Sequence, residues 1–275
     1  MTDMTEQAQT SFNPTSLTEN LNRIYDQGFA SDFHEDFFRH SGFSNFGYWE
    51  KGITDAASAA ENLVLHLLEP LQPISGQILD VACGQGGTTR TLTRFVPADQ
   101  VTAINISQSQ LTAAARNAPG ANFEQMSATR MRFEDASFDG ILCVEAIFHF
   151  ETRRRFLREA FRVLKPGGWL ALTDVHFRVR PPAKVIPPAN HFHRLETYPE
   201  LYREVGFDTP MIESALKPTW AGCRRALATY GRARLQAKGK LNPKHLREWW
   251  LNEVRCGLYD AAFQDYLLVW ARKPE

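Results

Sequence analysis

Residues 77–87, Gln77-Ile78-Leu79-Asp80-Val81-Ala82-Cys83-Gly84-Gln85-Gly86-Gly87, pass from an apolar run into a glycine-rich turn, and a helical stretch to Phe95 follows. An apolar run of this length bounded by glycine reads as a buried strand, so the segment is strand, loop, helix. In a doubly wound sheet a ligand lies at such a turn, because glycine lets backbone approach it and the helix start offers free N–H groups. A dinucleotide fingerprint, Gly-x-Gly-x-x-Gly counted from Gly84, would need a third glycine where the chain has Thr89. A nicotinamide cofactor is therefore poorly supported, and no Gly-Lys-Ser/Thr follows to make a P-loop.

Working outward, the alternation continues. Apolar runs at Val101 to Ile106, Asn122 to Met126, Phe138 to Val144 and Trp169 to Val175 read as strands. Helical patterns cover Ser107 to Asn117 and the stretch carrying Phe156, Ala160, Val163 and Leu164, which stops at Lys165-Pro166-Gly167-Gly168. Strands alternating with helices predict a parallel sheet covered on both faces. On the N-terminal side, residues 1–16 read as a disordered tail. A helical pattern carrying Leu17, Leu21, Ile24 and Tyr25 comes next, and a second helix covers Asp55 to Leu68. On the C-terminal side, residues 176–193 hold Pro181, Pro182, Pro187 and Pro188, which excludes a central strand or helix and reads as a lid. A helix over 197–205, a strand after Gly206, a basic helical segment from Cys223 to Trp250 and a last strand from Asp265 to Arg272 complete the chain. The expected architecture is α/β: a Rossmann-like, seven-stranded, mostly parallel sheet in one domain over 17–275. Its parts are an N-terminal helical cap (17–70), a core (71–175), a lid and substrate region (176–264) and the last strand (265–275).

The 275 residues balance 31 Lys and Arg against 31 Asp and Glu, which gives no general electrostatic pull toward nucleic acid or anionic lipid. No stretch approaches the roughly 20 apolar residues of a membrane span, and the start lacks the basic, apolar and cleavage segments of a secretion signal. Cys83, Cys143, Cys223 and Cys256 are too widely spaced for a zinc motif and read as reduced thiols in a cytoplasmic protein. His176, His191 and His193 fit no metal triad, so no metal is expected. The oligomeric state is left open. Aromatic residues crowd the first fifty positions, among them Phe33, Phe37, Phe38, Phe43, Phe46, Tyr48 and Trp49.

With these motifs in place, the chain resembles the class I S-adenosylmethionine (SAM)-dependent methyltransferases, in the small-molecule branch that acts on sugars, tocopherols and polyketides. The resemblance is carried by ILDVACGQGG, VTAINISQSQL, FDGILCVEAIFHF and EAFRVLKPGGWLALTD, by Asn45-Phe46-Gly47-Tyr48-Trp49, and by the terminal YLLVWARKP. It implies that Asp80, Ala82, Gly84 and Gly86 hold the methionine half of SAM, with Tyr25 and Tyr48 closing over its carboxylate. Aromatic faces there would also suit a sulfonium cation. Asn105, with Ile106 beside it, stands where the family has an acidic residue for the ribose hydroxyls. Asparagine accepts one hydrogen bond and donates another but lacks the carboxylate's charge, and Gln110 would add a polar contact. Ser127, Ala128 and Thr129 would line the adenine pocket, although many relatives carry an Asp at the first of these.

The same resemblance makes His149 the general base, since an imidazole is suited to removing a proton near neutrality, with Asp174 supporting it. Glu145 would hold the cofactor through its backbone, stabilise a cation or orient an amine. Arg178, Arg180, Lys184, Arg224 and Arg225 are candidates to hold an acidic group of the acceptor. The expected activity is O-methylation of a hydrophobic small molecule in secondary metabolism. C-methylation of an isoprenoid or other electron-rich carbon, and a non-catalytic SAM-binding role, are the alternatives.

Overall fold

The computed structural model describes residues 14–29, 31–183, 185–237 and 243–275. At its centre, Ile78–Val81 (β1) is buried at all four positions, as a parallel strand covered on both faces must be. Val101–Asn105 (β2) and Phe138–Cys143 (β4) pair parallel with β1 on either side. Asn122–Gln125 (β3) pairs parallel with β2, and Leu164–Phe177 (β5) pairs parallel with β4. Phe263–Arg272 (β7) inserts antiparallel between β5 and Met211–Ser214 (β6). The order β3-β2-β1-β4-β5-β7-β6 bears out the seven-stranded, mostly parallel sheet. The chain works outward from β1 through β3 and then returns to β4, so the strand order reverses beside β1. Ligands of doubly wound sheets lie at that switch point, outside the carboxyl ends of the strands.

The helices bury stripes against the two sheet faces. On one side Ala56–Leu68 (α3), capped by Asp55 accepting the Ser58 N–H, buries Ala60, Leu63, Val64, Leu67 and Leu68 in a cluster with Val175, Tyr266 and Leu268. On the other, Arg153–Val163 (α6), capped by Thr152, buries Phe156, Leu157, Ala160 and Val163 against Leu79, Ile141 and Leu170. Each fully buried Leu or Phe contributes roughly 1.5–3 kcal/mol. The remaining helices are Pro14–Phe29 (α1), Asp32–Phe37 (α2), Gly87–Leu92 (α4), Gln108–Asn117 (α5), Tyr198–Arg203 (α7), Trp220–Ala237 (α8) and Pro243–Ala262 (α9).

Close packing of β4 on β5 depends on Gly140, whose strand partner is Trp169. A Cβ at 140 would lie 2.1 Å from the Trp169 ring. Gly140→Ala should therefore destabilise the chain by about 1–3 kcal/mol through overpacking, read as a lowered urea midpoint at constant slope.

Some boundaries differ from the sequence expectation. Helix α1 begins at Pro14, with proline suited to a first helical turn, so residues 14–16 are not part of a tail; residues 1–13 lie outside the described residues. Helix α6 stops at Val163, and β5 takes up the chain directly at Leu164, running on to Phe177. The basic segment divides into α8 and α9; Lys238 and Lys240, like Lys184 in the lid, lie outside the described residues. The proline-rich stretch is tied to the core by Asn190, buried to 1% exposure. Its Nδ2 donates to the Phe148 and Phe150 carbonyls (3.1 and 2.7 Å), and its Oδ1 accepts the Arg153 N–H (2.8 Å).

Candidate active site

The carboxyl ends of β1, β2 and β4 open into a cavity of about 470 Å3, within the size range of small-molecule sites. Two non-glycine residues there have left-handed backbone, Ala82 (φ 60°) after β1 and Glu145 (φ 53°) after β4. Such conformations are strained for residues with a Cβ, and they cluster at ligand sites. The walls follow the strand ends in sequence. Ala82, Gly84, Gln85 and Thr88 form one end, Asn105, Ile106 and Gln110 the middle, and Ser127, Ala128 and Thr129 a second arm. Val144, Glu145, Ala146 and His149 line the side below β4. Helix α1 closes the space with Leu17, Leu21 and Tyr25, one face at four-residue spacing.

The glycine turn is shaped by its neighbours. Gly86 (φ 86°) sits where a Cβ would meet the Ala114 backbone at 2.8 Å, so helix α5 can approach only a glycine. Asp80, 1% exposed, lies beneath the turn and accepts the Thr89 hydroxyl at 2.7 Å. Desolvation pushes its carboxyl up to about 7 despite that bond. Neither residue lines the cavity; both hold the turn that does.

His149 is the one histidine that lines the cavity among the described residues. Its Nδ1–H donates to the Val185 carbonyl (2.9 Å), which can only accept, so Nε2 carries the lone pair. The Tyr25 hydroxyl donates to that lone pair at 2.6 Å. Desolvation, with help from nearby Arg153, lowers the imidazole to about 4 and outweighs the Val185 bond. Histidine-selective NMR should thus find His149 as the neutral Nδ1–H tautomer from neutrality down to about pH 5, whereas a solvated ring titrates near 6.5. The unfolded chain takes up a proton that the folded ring refuses, so this residue contributes a loss of stability as pH falls from about 6.5 toward 4.

Glu145 faces the cavity while its Oε1 accepts the Phe46 N–H (2.7 Å) and the Tyr266 hydroxyl (2.8 Å). Burial nevertheless pushes it up to about 8. Behind it Phe46 packs against Trp220, Phe263 and Tyr266 with ring centroids 5.1–6.2 Å apart. The aromatic motif around residue 48 thus delivers a backbone N–H to Glu145. Tyr48 itself does not reach the cavity: it stacks on His66 (4.2 Å) and donates to Glu213 (3.3 Å).

Asp174 is also elsewhere than expected. It is fully buried, its two oxygens accept Arg153 Nε and Nη2 (2.6 Å each), and Tyr198 adds a third donor at 2.6 Å. Its carboxylate is spent on an ion pair beneath the floor of the site, and it touches neither the cavity nor His149. Arg153, whose Nη1 also donates to the Asn190 carbonyl, had no marker in the sequence beyond its place in a basic run. Among the described residues none of 176–264 lines the cavity, so Arg178, Arg180, Arg224 and Arg225 do not converge on this space; Arg224 pairs with Glu253 and Asp260. Among the described residues no group of three or more His, Cys, Asp or Glu is arranged to hold a metal, and no helix is long and apolar enough to cross a membrane.

Residues 79–172 match a family model described as a methyltransferase domain. An O-methyltransferase of Aspergillus sclerotiorum, resE, is 33% identical over 186 residues, 61% of this chain and 69% of that protein. The 27-O-demethylrifamycin SV methyltransferase of Amycolatopsis mediterranei is 29% identical over 252 residues, 83% of this chain and 89% of that protein. With the first curated relatives this chain aligns over 60% to 69% of their length. Among solved structures, the cyclase SpnF shares the fold with a TM-score of 0.71 over 94% of this chain and 97% of that one, at 23% identity.

Proposed function

The chain belongs to the class I SAM-dependent methyltransferases, and on that premise we propose that it transfers a methyl group from SAM to a hydroxyl oxygen of a hydrophobic small molecule, in secondary metabolism. The observation that carries this reading is His149: a neutral imidazole that lines the cavity together with the glycine turn, its tautomer held by Val185 and its Nε2 lone pair hydrogen-bonded by the Tyr25 hydroxyl, itself a cavity-lining group. The relatives named as O-methyltransferases support the same choice of acceptor atom.

The residues fit the cofactor. The walls run from the glycine turn through an amide-bearing middle to a hydroxyl-bearing arm, matching in order an amino acid, a ribose and an adenine. Ala82 and Gly84 would hold the amino acid end, Asn105 and Ile106 the ribose with Gln110 bonded behind Asn105, and Ser127, Ala128 and Thr129 the base. SAM supplies a methyl on a sulfonium, open to in-line displacement. The chain's own part is to place the acceptor, align it and remove its proton, with positioning providing much of the acceleration. Nε2 holds the Tyr25 hydroxyl 2.6 Å away, so an acceptor hydroxyl would take the place of Tyr25 at that lone pair and pass its proton to the ring. Glu145, raised toward neutrality and held at one oxygen, would help orient the acceptor from the wall after β4 that it shares with His149. For C-methylation, the described lid arginines lie off the cavity and so do not support a diphosphate grip, whereas Glu145 in its wall keeps an isoprenoid or other electron-rich carbon as the second reading.

Calorimetry with SAM and S-adenosylhomocysteine tests the premise. Micromolar binding to the wild type, lost in Gly84→Arg, is expected, because Gly84 has φ 55° and its backbone forms the wall. A folded wild-type protein that binds neither compound would overturn the reading, and binding without turnover across a broad panel of hydroxylated acceptors would favour a non-catalytic role.

A further inference from the structure

The middle of the cavity wall carries an uncharged amide, Asn105, and the direction in which that amide points decides whether it offers an acceptor or a donor. Four contacts settle it. The Ile106 N–H must meet an oxygen, and it lies 2.8 Å from Asn105 Oδ1. Asn105 Nδ2 in turn donates to Gln110 Oε1 at 2.8 Å. Gln110 Nε2 donates to Asp26 Oδ1 at 2.8 Å, and the same oxygen accepts the Ser107 hydroxyl at 3.0 Å. A carboxylate only accepts, so Asp26 forces the amide nitrogen of Gln110 toward itself and its oxygen toward Asn105. Starting from either end, the chain of donors gives the same answer: Asn105 Oδ1 is the acceptor, with one of its two lone pairs used by Ile106.

We infer that Asp26, from helix α1, is a positioning residue that, acting through Gln110 and together with the Ile106 N–H, holds and strengthens Asn105 as a hydrogen-bond acceptor for the ribose hydroxyls of the bound cofactor. This rests on the proposed SAM site and adds to it the origin of its polarity. The negative charge sits not on the strand end but on the capping helix, 84 residues away in sequence from the glutamine it orients. Hydrogen bonds in series polarise one another, so the carboxylate strengthens Asn105 Oδ1 as an acceptor without touching the ligand. The site for the ribose is therefore complete only while α1 is docked, and the neighbouring Tyr25 brings the same helix to His149.

The test compares binding of S-adenosylhomocysteine and its 2′,3′-dideoxy analogue to the full chain by calorimetry. The wild type should prefer the natural compound by about tenfold or more, as expected for hydrogen bonds that the analogue cannot make. Asp26→Ala should weaken S-adenosylhomocysteine by a similar factor and bring the two ligands close to equal affinity. Gln110→Met, which leaves the Ser107 tie of Asp26 in place, should do the same, so a general loosening of α1 is separable from the relay. Adding Asn105→Asp to Asp26→Ala should restore the preference by putting the charge at the strand end. Affinity within twofold of wild type in Asp26→Ala, or equal losses for the two ligands, would overturn the inference. Failure of the wild type to bind S-adenosylhomocysteine would instead defeat the SAM site itself.

Discussion

Asp174→Ala should cost roughly 3–5 kcal/mol of folding stability, the range for leaving one member of a buried ion pair uncompensated. Arg153 is 3% exposed, and its guanidinium is held bidentately by the Asp174 carboxylate, which also accepts the Tyr198 hydroxyl and the Val175 N–H. Removing the carboxylate strands a cation and at least one hydroxyl away from water. Since a domain of this kind has about 5–15 kcal/mol in total, the variant should be close to unfolding at physiological temperature. Urea titration with an unchanged slope is the measurement, and the paired replacement Arg153→Met with Asp174→Leu should lose far less, because it removes both charges together. If Asp174→Ala instead kept its urea midpoint and lost only turnover, the carboxylate would have the chemical role that the family resemblance implies. Its burial under four donated hydrogen bonds argues for the structural one.

His149→Ala should lower turnover by about 100-fold or more, equivalent to about 2.7 kcal/mol of barrier, while binding of S-adenosylhomocysteine stays within a few-fold of wild type. The ring's lone pair at Nε2 is engaged by the Tyr25 hydroxyl, its other nitrogen is committed to Val185, and no other imidazole lines the cavity among the described residues. The separation of kcat from affinity is the informative part. A loss confined to affinity would make His149 a wall residue, and near-normal turnover would remove it from the chemistry. Because the imidazole is already neutral far below its ordinary range, the acid limb of the wild-type rate should fall toward about pH 4 rather than 6.5, with the sign set by protonation of the base.

Much of the site was readable because it lies where local rules are strong. Ala82, Gly84, Asn105 and Glu145 stand at or just past strand ends, and a strand ending in a glycine turn fixes where backbone meets ligand whatever the rest of the chain does. His149 follows β4 by six residues and is carried to the same edge. Tyr48 and Asp174 were equally well placed by motif, yet their side chains went elsewhere. For Tyr48 the deciding contacts are His66 on α3 and Glu213 on β6; for Asp174 they are Arg153 on α6 and Tyr198 on α7. Partner choice of this kind depends on which long-range neighbour has an unpaired group to satisfy, and neither composition nor periodicity carries that information.

The sequence by itself determined the alternation of elements, the buried parallel centre and the position of the cavity at the glycine turn, because hydrophobic period and glycine placement act over a few residues. Only the tertiary structure decided which polar groups face the cavity and in what state. Docking of α1 brings Asp26 to Gln110 and Tyr25 to His149, and the fold of the proline-rich stretch brings the Val185 carbonyl under the imidazole. Burial then shifts His149 and Glu145 in opposite senses, both toward neutrality, since the low-polarity interior penalises either charge.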